Sequence, residues 1–332
     1  MHVGRSYRLI DFAIWSRRSV IYMTIVSVLA VLAHSLPPFT GLSVPWQVIV
    51  VLGTTVSLVA GFKNSQVLSR SNEGLLAFGQ IAASSRMLGS LCCDFLEGDV
   101  ARGVVYRHLA WLTALRFSLR RPMPWESMSR PANKEYRRRR YHVIEDTSSI
   151  ETELRALLGD EATIIAKHDR PALDLLHRQG RQLNALFKSG LVQPAVYGEF
   201  MKVLRDCQDQ QARCDRIKNT PYPRQYAIVT TMFVVIFCTL LPFGTVPFFA
   251  ELAAIGVPSA VATWLSVPFS VLLGWMYLSL DQVGESSSNP FEGGPNDVPL
   301  SQICRDLEIE LRGTLGETNL PPRLQPVHGI AI

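Results

Sequence analysis

Uncharged apolar runs and charged stretches alternate along the chain, and the alternation predicts its layout. Residues 19–36 carry no charge apart from His34, and residues 44–62 carry none. A long polar stretch occupies 63–224, two further apolar runs fill 226–249 and 253–280, and residues 281–332 close the sequence as a polar tail. At about 1.5 Å per residue, the run 44–62 reaches about 28 Å as a helix, close to the ~30 Å hydrocarbon core of a bilayer. Four transmembrane helices are therefore expected. Residues 1–18 form the N-terminus, 63–224 a helical cytosolic region and 281–332 a cytosolic tail. The fold class expected is an all-α integral membrane protein.

Local signals refine this. The link 37–43 holds two prolines, Gly41 and no charge, which suits a tight turn between antiparallel spans. Past Phe62 no breaker intervenes, so the second helix is expected to run on, with Gly74 as its first weak point. Helical patterns follow at 77–95, 99–119, 149–158, 171–186 and 193–217, with one more at 300–311. Asp99, a capping box of Ser148 and Glu151, and Pro171 after Asp169 mark starts, whereas Gly159, Gly180 and Gly190 suit stops. Residues 120–140, with three prolines and the block Arg137–Arg140, read as a basic connector. Pro242, Gly244 and Pro247 should bend or end the third span, and Pro258 and Pro268 lie in the fourth.

Two stripes at i, i+4, i+8 separate on the second span. Gly53, Ser57 and Gly61 are small, and small residues let membrane helices approach closely. Thr54, Leu58 and Phe62 grow larger along the neighbouring face, as for residues facing a narrow axis. Ordinary packing within one subunit produces the same periodicity, so the pattern alone does not choose between a pore and a packed bundle.

Charge then sets orientation. The net charge is +5, and Lys and Arg crowd the N-terminus and the region 63–224, whereas the links at 37–43 and near Glu251 hold none. The positive-inside rule puts both termini and the middle region in the cytoplasm, which accounts for the basic balance without nucleic acid. The segment Ser16-Arg17-Arg18-Ser19 also resembles a twin-arginine export signal; the length of its apolar run and the second span close behind favour an anchored hairpin.

The search for chemistry finds little. Six cysteines form no CxxC pair and no zinc spacing, so no disulfide framework, metal site or cofactor is expected. No phosphate-cradling glycine loop, GxSxG or HExxH occurs. His168 beside Asp169, and Asp174 with His177, have the spacing of helix-surface contacts. A membrane-anchored enzyme is thus a remote reading. A transporter built around broken helices is nearer, but the four runs lack the buried charges that would couple substrate to ion movement.

Three segments, in order, resemble the bestrophin family of ion channels, particularly its bacterial members. LVAGFKN at 58–64 is similar to the family's neck sequence, DRIKNTPYP at 215–223 to the turn before the third span, and NPF at 289–291 with PNDVPL at 295–300 and ICR at 303–305 to the segment after the fourth. The resemblance implies a homopentamer in the cell (inner) membrane, in contact with lipid, whose second spans surround one path for permeant monovalent ions. By position it makes Thr54, Leu58 and Phe62 the neck, Tyr222 the cytosolic aperture and Lys63 a charge beside the path. It favours chloride and similar anions, with a sodium channel of the same architecture as the alternative. Thr54 departs from an apolar neck and should wet its upper ring, and Tyr222 is bulkier than the usual aliphatic residue. Calcium activation in animal members uses an acidic cluster after Asn-Pro-Phe. Residues 292–297 hold too few adjacent carboxylates for a six- to eight-oxygen site, so no calcium clasp is expected.

Overall fold

A computed structural model describes residues 1–4, 8–36 and 42–332. Arg5 of the basic N-terminal flank and residues 37–41 of the first link lie outside the described residues. Eleven α-helices run through the rest: α1 (Leu9–Ser35), α2 (Trp46–Phe95), α3 (Gly98–Arg120), α4 (Pro131–Arg140), α5 (Ile150–Leu158), α6 (Glu161–Ala166), α7 (Pro171–Lys188), α8 (Pro194–Asn219), α9 (Arg224–Ala250), α10 (Ser259–Ser286) and α11 (Leu300–Thr314). Among the described residues there is no strand, only isolated bridges joining His2 and Val327 to Ile330. The chain divides into two units, one of residues 6–69 and 222–288, the other of 1–5, 70–221 and 289–332.

The first unit is apolar, and α1, α2, α9 and α10 are each long and apolar enough to cross a membrane. Within it α1, α9 and α10 pack on one another. Their core includes Met23, Val234, Phe237, Cys238 and Leu241, with Ile49 and Val56 reaching in from α2. Close approach matters at Gly274, where any Cβ would collide with Met23 of α1. Two polar contacts tie its helices together: Tyr22 Oη lies 2.6 Å from Thr239 Oγ1, and Trp275 Nε1 donates to Ser16 Oγ at 2.8 Å.

The third span does not end at Pro242 but continues through Pro247 to Ala250, next to the expected limit at 249. A proline removes the N–H that would bond the carbonyl four residues back. For Pro247 that carbonyl is Phe243 O, and it accepts from Val44 N instead, at 3.1 Å. The chain entering α2 thus satisfies what the proline leaves open.

The second unit is built around α3. Trp111, Leu112, Leu115 and Leu119 are buried among residues of α2, α5, α7, α8 and α11, and Trp111 Nε1 donates to Gln211 at 2.7 Å. Gly74 is no weak point. α2 passes straight through it because a Cβ there would sit 2.8 Å from Pro290 Cγ and 3.2 Å from Phe291 Cζ, so the missing side chain makes room for the Asn-Pro-Phe segment. Gly180 likewise lies inside α7, with Leu204 at 3.3 Å from the place of a Cβ. The capping hydroxyl of α5 belongs to Ser149, not Ser148, and accepts from Thr152 N at 3.2 Å.

The basic connector is partly helical. Pro131 opens α4 at its first turn, and the four arginines end it, where cations suit the carbonyl end of the dipole. Arg137 pairs with Asp146 and Arg139 with Glu135. The tail folds back on its own unit: Gln302 N donates to Ile332 O at 2.7 Å, and Ile330 is buried with Tyr141 and Val143.

Candidate pore-lining site

α2 carries the candidate site, and its positions sort by what they touch. Thr54, Leu58 and Phe62 share one exposed face; Leu58 is 60% exposed and Phe62 57%. The hydroxyl of Thr54 donates to Val50 O at 2.8 Å, so its proton is used within the helix and only its lone pairs face outward.

The small-residue stripe splits. Gly53 is buried against Phe237 of α9, and Tyr277 of α10 donates to its carbonyl at 3.3 Å. Ser57 Oγ lies 2.8 Å from the same tyrosine hydroxyl. Nothing lies within 4 Å of a Cβ at Gly61. Packing inside the subunit therefore accounts for Gly53 and Ser57, and Gly61 alone of the three stays open.

Lys63, expected as a charge beside the path, is paired inside the apolar unit. Its ammonium is buried and lies 2.6 Å from Asp281 Oδ1, with side-chain exposures of 3% and 9%. Thr231 of α9 donates to the other oxygen of Asp281 at 2.9 Å. A buried pair of this kind contributes little net stability when intact, but losing one partner costs about 3–5 kcal/mol because the other charge is stranded. Asp281 escaped the sequence reading, since it stands one residue past the fourth apolar run and 218 residues from its partner.

Gln66 was also missed, although it is the next step of the stripe after Phe62. It is exposed and accepts from Tyr222 Oη at 3.3 Å. Tyr222, the residue expected at the aperture, is only 8% exposed, with its ring edge-on to Tyr226 of its own chain.

In the polar unit, the carboxyl groups after Asn-Pro-Phe are filled by hydrogen bonds. Glu292 accepts from Ser127 N at 3.1 Å, Ser127 Oγ at 3.2 Å, Met128 N at 2.9 Å and from Asn289. Burial, then Asp297 and Glu126, push its carboxyl up to about 8, against the pull of the Asn289 and Ser127 donors. Asp297 accepts from Gly294 N at 2.7 Å, and burial raises it too. Among the described residues no three His, Cys, Asp or Glu side chains gather as a metal site. Asp174 gives its carboxylate to Arg178 at 2.7 Å. All six cysteines are free.

The model of the family described as bacterial and fungal bestrophin protein matches residues 13–313. The chain belongs to that family. Curated relatives include the voltage-dependent anion channel-forming protein of Mesorhizobium japonicum, 26% identical over 276 residues, covering 83% of this chain and 76% of the relative. The protein of the same description, YneE, from Salmonella typhi is 26% identical over 280 residues, covering 83% and 79%. Among solved structures, a bacterial bestrophin homologue from Klebsiella pneumoniae superposes with a TM-score of 0.74 at 23% identity, over 92% of this chain and 98% of that one. This bestrophin is a membrane protein of four apolar spanning helices, and its family makes it a channel protein, not an enzyme.

Proposed function

We propose that this bestrophin assembles as a homopentamer in the cell (inner) membrane and conducts monovalent anions such as chloride along a central path lined by α2. Thr54, Leu58 and Phe62 form three rings of its neck, and residues around Tyr222 form a second constriction at the cytosolic end. The carrying observation is that α2 packs Ile49 and Val56 into the apolar core on one side and keeps Leu58 and Phe62 in the open on another. A membrane helix with one packed side and one unpartnered side suits a stave contributed by each copy. Apolar rings gate by dewetting, and a polar Thr54 ring above them keeps the entrance wet. The names of the curated relatives support the anion reading. Positive charge in residues 63–224 supports cytoplasmic termini.

One observation favours the sodium alternative: the ammonium of Lys63, the cation nearest the neck in sequence, is compensated by Asp281. Reversal potentials in asymmetric sodium chloride, measured on the purified protein in a planar bilayer, decide between the two. A potential close to that of chloride supports the proposal; one close to that of sodium overturns the anion reading and leaves the architecture standing.

A further inference from the structure

The three-helix junction just below Phe62 holds more than packing. Lys63 of α2, Thr231 of α9 and Asp281 of α10 converge there: Lys63 Nζ lies 2.6 Å from Asp281 Oδ1 and 3.4 Å from Thr231 Oγ1, and Thr231 reaches Asp281 Oδ2 at 2.9 Å. The next residue repeats the tie, with Asn64 Nδ2 donating to Leu280 O at 3.5 Å. Gly284, one turn further on α10, has no room for a Cβ because Asn64 Oδ1 occupies that space. Phe62 precedes this cluster by one residue, so the direction of its ring is set by a backbone turn that is fixed on both neighbouring helices.

We propose that Lys63, Thr231 and Asp281 act as positioning residues, forming an electrically neutral lock that aims Phe62 and hides a full charge of each sign from the ion path. The proposal rests on the α2-lined pore. A buried ammonium and carboxylate each favour retention of the other, because a lone charge in a low-dielectric site projects a field that water does not screen. The pair is therefore silent toward passing ions while intact. Removing either half turns the junction into a charged ring, repeated once per subunit, beside the narrowest apolar level.

The sign of the effect separates this role from a merely structural one. In asymmetric sodium chloride, Asp281→Asn leaves the ammonium uncompensated and should raise the chloride-to-sodium permeability ratio severalfold. Lys63→Met leaves the carboxylate and should lower the ratio by a similar factor. The neutral double variant K63M/D281N and the exchanged pair K63D/D281K should both return the reversal potential to that of the parent, and K63R, which keeps the pair, should not move it. If a single variant fails to assemble, recovery of assembly in the exchanged pair supports the lock, and failure of the exchanged pair as well overturns it. Single variants that assemble but leave the reversal potential unmoved, or shift it in the same direction, also overturn it. The variant L58A/F62A, run alongside, keeps the two readings distinct. Altered currents there with inert lock variants refute the lock alone, and unaltered currents there refute the lining.

Discussion

At the residue scale, exposure and close approach assign different work to neighbouring side chains of one helix. Leu58→Ala with Phe62→Ala removes apolar bulk that is mostly exposed in its own subunit, so single-channel conductance should rise severalfold while size-exclusion elution of the assembled protein stays unchanged. Gly61→Leu is expected to do the reverse: it strains no contact within the chain, and its effect should appear as loss of the oligomer in native mass spectrometry. Buried titratable groups in the polar unit predict a pH profile. Burial lowers His108 to about 4 from its ordinary 6.5, so between these values the unfolded chain takes a proton that the folded one refuses. Stability therefore falls as pH drops through that window, by on the order of 3 kcal/mol in full. Glu292 works oppositely: raised to about 8 from 4.5, it holds a proton in the fold that the unfolded chain has released, and stability falls as pH rises through that window. Thermal melts of H108F and E292Q should lose the acid and the alkaline slope respectively.

At the element scale, the sequence was legible where a single physical force decides. Four apolar runs long enough for a bilayer identify four helices, and the helical periods between them exclude strands. Misreadings cluster where a distant segment overrides a local signal. Gly74 and Gly180 look like breaks but are seats for Phe291 and Leu204; Pro247 looks like a stop, but Val44 takes the carbonyl it frees. The arginine block looks like a solvated loop, yet Glu135 and Asp146 compensate part of it inside and beyond a short helix. Of the candidate site, the i, i+4 stripe of Thr54, Leu58 and Phe62 was readable because exposure follows helical phase. The burial of Lys63 was not, because it depends on a carboxylate brought in by another span. Gly74→Val should displace Pro290 and Phe291 and destabilise the polar unit by about 1–3 kcal/mol, an overpacking cost visible as a lower melting midpoint.

For the whole molecule, the disposition of acidic groups bears on regulation. The carboxyl oxygens of Glu292 are taken up by Ser127, Met128 and Asn289, and Asp297 by Gly294, so neither offers open oxygens of the number a calcium ion requires. Currents recorded in the same bilayer should be equal in micromolar calcium and in chelator; steep activation by calcium would refute this. α2 carries a further constraint. Within the apolar unit, its outward Leu58 and Phe62 share a single winding with Ile49 and Val56, which enter the core. Inserting one amino acid beside Ser57 would swing Leu58 and Phe62 by about 100° relative to Ile49 and Val56, whereas seven would bring the faces back almost into phase. Evolution and protein engineers alike are thus held to near-whole-turn changes of length in this rod, however freely its surface letters vary.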